Sequence, residues 1–105
     1  MELMEAKVFA WFNAAEAKKF GTELAQLVIK ELPKGERVAE KKLETRKQQL
    51  LKKIQTRADA FKREHRLNLY KTAQLGNAFK WELKQAGYST EFVDSFTGIV
   101  LTAVR

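Results

Sequence analysis

A chain of 105 residues that is 45% apolar and 31% charged, with one proline and five glycines, has the length for a single core and is too apolar for a disordered tail. With no cysteine it cannot form disulfides, thiolate metal sites or iron–sulfur ligation, and it offers no thiol nucleophile, which fits a reducing, cytoplasmic setting. The net charge of +7 is concentrated rather than spread: twelve Lys/Arg stand against five Asp/Glu between Glu36 and Lys71, so this one segment carries the whole excess.

The N-terminal stretch holds Glu2 and Glu5 where a secretory signal needs basic residues, so no export signal is expected. Met4, Val8 and Trp11 fit a helical step and predict a short helix over 3–12. Asn13 followed by Glu16 has the spacing of a capping box, with Asn13 accepting the Glu16 amide, and it opens a second helix near Ala14. Within 14–32, Ala17, Phe20, Leu24, Leu27, Val28 and Leu32 recur at three- and four-residue steps until Pro33 and Gly35 stop the helix.

From Glu36 no glycine or proline interrupts the chain until Gly76, and Lys, Glu, Gln, Arg, Leu and Ala dominate it. These are strong helix formers, so the spacing predicts one long helix over 36–74. Leu50, Leu51, Ile54, Ala58, Phe61, His65, Leu69 and Ala73 form its apolar stripe, which fades before Leu50, where Glu36, Glu40, Glu44 and Lys47 take the same line. At about 1.5 Å per residue such a helix runs about 60 Å, roughly twice the width of a small domain, so its basic half should project. That geometry predicts either a homodimer that braces the helix or a break well before Glu36.

Gly76 and Asn77 are read as the next break, followed by a short helix over 77–86 that Gly87 ends in a left-handed cap. Ser89 then caps a last helix over 90–104, with Tyr88 spaced to staple onto Val93. Gly98 and the β-branched Ile99, Val100, Thr102 and Val104 would also suit a strand, but no second strand candidate exists to pair with it. The stretch from Phe92 to Val104, with only Asp94 ionised, is too short for the roughly 20 residues of a membrane-spanning helix. The expected fold is all-α, a single domain over 1–105: a small bundle of three to five helices organised around one long basic central helix.

Constellations that carry chemistry are sparse. His65 is the single histidine, and its neighbours one helical turn away, Phe61, Lys62, Asn68 and Leu69, supply neither a carboxylate nor a second imidazole. Glu91 and Asp94 sit one turn apart, yet acids in a first helical turn are explained by the positive helix end. The ladder Glu36, Glu40, Glu44 reads as a solvated face. No phosphate-binding glycine loop, dinucleotide fingerprint or HExxH motif occurs, so no catalytic, cofactor-binding or metal-ligating residue is assigned and an enzyme is not expected. A helix-turn-helix around Gly87 fails on charge, because 90–104 offers Glu91 and Asp94 and no cation before Arg105.

What remains is the basic helix. Arg46, Lys53, Arg57, Lys62, Arg63 and Arg66 are the candidate polyanion-binding residues, with Arg46, Lys53 and Arg57 on one flank. No aromatic lies among them to stack on single-stranded bases. No motif fixes a function. The favoured expectation is a small non-enzymatic module making sequence-independent phosphate contacts with nucleic acid. The alternative is a protein-interaction or self-assembly module, a homodimer or one that takes an acidic protein, with no nucleic-acid role.

Overall fold

The computed structural model describes residues 13–35 and 39–105. The helix expected over 3–12 and the first turn expected at 36–38 lie outside them. The described residues form four helices and no strand: α1 (Ala15–Glu31), α2 (Glu40–Glu64), α3 (Leu69–Gln85) and α4 (Thr90–Ala103). The all-α bundle read from the sequence is the fold observed. No helix among the described residues is long and apolar enough to cross a membrane.

α1 follows its apolar period, burying Ala17, Phe20, Leu24, Leu27 and Val28. Its start differs in detail from the expected capping box, since the Asn13 side-chain oxygen accepts the amide of Ala15, at 3.3 Å. Leu32 closes the helix, and Gly35 adopts the positive φ of 82° that turns the chain toward α2.

The one long helix over 36–74 is not formed. α2 ends at Glu64, His65 is extended at φ −129° and ψ 134°, and α3 starts at Leu69 behind Asn68, whose side chain accepts the Lys71 amide at 2.8 Å. The physical reason is packing. Phe61 and Leu75 both belong in the core, and the turn at 65–68 folds the chain back so that both can be buried. Conversely, Gly76 and Asn77 do not break anything, and the expected helix 77–86 is the second half of α3. Gly76 sits inside that helix, where an added Cβ would lie 3.1 Å from the Leu101 side chain, so its missing side chain lets α4 approach.

The α3–α4 turn matches its sequence signals. Gly87 takes φ 88°, its amide donates to the Lys84 carbonyl and the Tyr88 amide to the Leu83 carbonyl, the paired bonds of a Schellman cap. Ser89 caps α4 by accepting the Phe92 amide at 3.2 Å. The Tyr88 ring meets Phe92, centroids 4.9 Å apart, where Val93 was the expected partner.

α1 and α3 run in the same sense. Asn13 and Lys71 line one groove at their starts, and at their ends the Tyr88 hydroxyl donates to the Leu32 carbonyl at 2.6 Å. They also approach most closely, since a Cβ on Gly21 would lie 2.3 Å from the Leu75 carbonyl oxygen. α2 runs opposite to both, with Phe61 against Phe20 and Lys53 against Glu31. Leu24, Leu50, Leu75, Phe79, Leu83, Val93 and Val100 meet in the centre with no exposed surface. Burial of each such side chain contributes about 1.5–3 kcal/mol. The one buried polar side chain among the described residues, Thr97, donates to the Val93 carbonyl, so it carries no unmet hydrogen bond. The radius of gyration, 15.4 Å, exceeds the ~13 Å of a compact chain of this length, as expected when an element extends past the body.

Candidate nucleic-acid interface

α2 has 25 residues and α1 and α3 have 17 each, so α2 outruns its neighbours by about 12 Å at a rise of about 1.5 Å per residue. The excess lies at its N-terminal end. From Ala39 to Gln49 no residue is buried, and Leu50 is the first to enter the core. The helix persists there without burying a described residue because its sequence is dense in strong helix formers and acids and cations share its turns.

Winding about 100° per residue, Lys41, Lys42, Arg46, Lys52, Lys53 and Arg57 fall within one sector of about 160°, which borders the buried line of Leu50, Ile54 and Ala58 at Arg46 and Arg57 and turns outward from it at Lys41 and Lys52. Over these turns no acid shares the sector, because Glu40 and Glu44 wind to the other side. Asp59 and Glu64 enter it only near the C-terminal end. The result is a cationic face that begins on the projecting turns and continues beside the core at Lys52, Lys53 and Arg57.

The six residues singled out from the sequence divide. Arg46, Lys53 and Arg57 share the flank nearest α1. There Lys53 forms an ion pair with Glu31 at 2.5 Å, and that hydrogen bond holds the Glu31 carboxyl below its ordinary value, with the Lys53 charge adding to it. Arg57 lines the grooves along α1 that also contain Glu16 and Glu23. Lys62 sits on the opposite edge, 3.5 Å from Asp59 and donating to the backbone carbonyl of Arg105 at 3.2 Å. Asp59 is held below its ordinary value first by a hydrogen bond from the Gln55 amide and then by Lys62. Arg63 is exposed on the outer face and Arg66 lies beyond the helix end, in the turn before α3. Lys41, Lys42 and Lys52 complete the exposed face. Their signal was present in the helical register, which places them beside Arg63 and away from both glutamates.

The histidine reading changes with the fold. His65 leaves the helix and lies against Phe61, ring centroids 4.4 Å apart, at the edge of a groove that Glu16, Glu23 and Glu64 also line. Among the described residues no group of three or more His, Asp or Glu is placed to hold a metal ion. Glu91 and Asp94 are exposed in the first turns of α4, and Asp94 lies 3.7 Å from Lys80 of α3.

No family model, curated protein sequence or solved structure matches this chain.

Proposed function

We propose that this protein is a non-enzymatic module that binds duplex nucleic acid through its phosphates, with the outer face of α2 as the contact surface and no reading of base sequence. The reading is supported chiefly by the segregation of Lys41, Lys42, Arg46, Lys52, Lys53 and Arg57 from Glu40 and Glu44 on a projecting helix. A face of one sign attracts phosphate chains and releases their counterions, an attraction that depends on salt and not on sequence. The face holds no aromatic ring for base stacking, which supports contact through the phosphate backbone. Gln49 and the two threonines at 45 and 56 lie among the cations and supply neutral donors to phosphate oxygens. The absence of cysteine suits such a module to a reducing, cytoplasmic setting.

The test is a charge reversal on the outer face. Lys41→Glu, Lys52→Glu and Arg63→Glu together should abolish binding to a mixed-sequence duplex while leaving the helical spectrum and melting temperature intact, since all three side chains are exposed. This set avoids Lys53, whose reversal would set two carboxylates against each other at Glu31. Duplex binding that is unchanged in the folded triple variant removes α2 as the contact surface.

Self-association is the second reading, and one observation favours it: Trp81 on α3 is 64% exposed and Leu69 85%. A homodimer covering either side chain would need to bring two +7 chains together, so added salt should strengthen it while weakening phosphate binding. Sedimentation equilibrium at two salt concentrations separates the two.

A further inference from the structure

The apolar stripe of α2 continues past the point where the bundle covers it. Leu43 lies seven residues before Leu50 and eighteen before Phe61, so all three share one side of the helix. Leu50 and Phe61 are buried, whereas Leu43 is 44% exposed. What faces it is a cleft of about 460 Å³, within the size range of small-molecule sites. Leu32, Pro33, Tyr88 and Phe92 form its remaining apolar walls.

Among the described residues three charged ones line this cleft, Lys34, Arg46 and Lys47, and all are cations. Lys34 and Lys47 lie outside the phosphate-binding sector of α2. The walls are braced without a ligand. The Tyr88 hydroxyl is tied to the Leu32 carbonyl, the Tyr88 ring leans on Phe92, and Gly87 leaves room for the Lys34 ammonium, which would stand 2.9 Å from a Cβ at that position. Burial raises the Tyr88 hydroxyl above its ordinary value, so the phenol stays neutral at this wall.

An apolar trough whose charged described lining residues are all cations complements one chemistry: a hydrocarbon tail that ends in an anion. We propose that the cleft binds a single-chain alkyl anion, a fatty-acid carboxylate or a monoalkyl phosphate, with the tail against Leu32, Leu43 and Phe92 and the head among Lys34, Arg46 and Lys47. The proposal is separable from nucleic-acid binding, because of the three cleft cations only Arg46 also belongs to the phosphate-facing sector of α2.

The experiment is an amide-shift titration of the full-length 15N-labelled protein with decanoate, decyl phosphate, decanol and decyltrimethylammonium, each kept below its micelle concentration. Saturable shifts centred on Leu43 and on the 88–92 turn are expected with the two anions. Decanol should bind at least about tenfold more weakly and the cation not at all, and whichever anion is tighter identifies the head group. Leu43→Glu, which puts a carboxylate into the trough at an exposed position, and the double variant Lys34→Glu with Lys47→Glu should each weaken decanoate at least about tenfold with an unchanged thermal melt. Decanol binding as tightly as decanoate, shifts centred on Leu69 and Trp81, unchanged affinity in both variants, or no saturable shift would each overturn the proposal.

Discussion

Phe20 and Phe61 lie face to face across the α1–α2 interface, their ring centroids 4.2 Å apart and their planes within 5° of parallel. The pair closes the lower half of the bundle, and both rings are almost wholly buried. Phe61→Ala should therefore cost about 3–5 kcal/mol, the range for emptying a buried aromatic site. A double-mutant cycle with Phe20→Ala should return a coupling of about 0.5–1.5 kcal/mol from the ring contact itself. Denaturant melts measure both, and a cost below about 1 kcal/mol would mean the stripe is not enclosed.

Two glycines make opposite predictions for the same substitution. In an open helix Gly→Ala gains about 0.8–1 kcal/mol of helix propensity. At Gly98 nothing stands within 4 Å of the new Cβ, so Gly98→Ala should stabilise by about that amount. At Gly21 the new atom would lie 2.3 Å from the Leu75 backbone oxygen, and a backbone atom cannot swing aside. The helices must part, so Gly21→Ala should cost about 1–3 kcal/mol net of the propensity gain. Thermal melts of the two variants should move in opposite directions.

Packing sets the turn between α2 and α3, and one side chain caps the helix that follows it. Asn68 satisfies the Lys71 amide at the start of α3, and Asn68→Ala should cost about 0.5–2 kcal/mol, whereas Asn68→Asp should be nearly neutral. Equal melting temperatures for Asn68→Ala and the parent would show that packing alone sets the break.

This turn also shows where the sequence could and could not be read. Gly87 and Ser89 announced their turn because a left-handed glycine and a serine cap act locally, within three residues. The break at 65–68 has no glycine or proline, and each residue there tolerates a helix. What ends α2 is the gain from burying Phe61 and Leu75 together, a long-range effect that no window of residues contains. Asn68 before Leu69 was a cap signal, but it lay inside an apparently continuous period. Gly76 misled in the opposite way: read as punctuation, it is an interior helical residue whose missing Cβ admits Leu101. Leu43 was legible at a seven-residue step from Leu50 but stood among Lys41, Lys42 and Glu44, so its open cleft emerged only with the fold. The cationic face followed from helical register alone, whereas the engagement of Lys53 by Glu31 and of Lys62 by the chain end required the tertiary structure.

The Glu31–Lys53 pair gives the stability a definite acid dependence. Because the Glu31 carboxyl is lowered from its ordinary 4.5 in the folded state, its contribution is complete above that value and is lost as pH falls through the lowered one. Glu31→Gln should thus be less stable than the parent at neutral pH, and the difference should shrink toward zero in acid. Asp59 is shifted in the same direction, so the variant keeps part of the acid dependence. Urea melts across pH 2–7 would check this; a constant gap between the two proteins would mean that the pair contributes nothing through its charge.

The proposal that α2 meets phosphates is tested by the salt dependence of duplex binding. If about four to six of the α2 cations displace counterions, log K against log salt should fall with a slope of roughly −3.5 to −5.5 on B-form DNA. The slope should be the same for unrelated sequences, and it should shrink by about 1 for each of Lys41, Lys52 and Arg63 removed. Fluorescence anisotropy of a labelled duplex titrated at several salt concentrations gives this number. A slope near zero, or affinity that varies with sequence and survives high salt, would contradict the account.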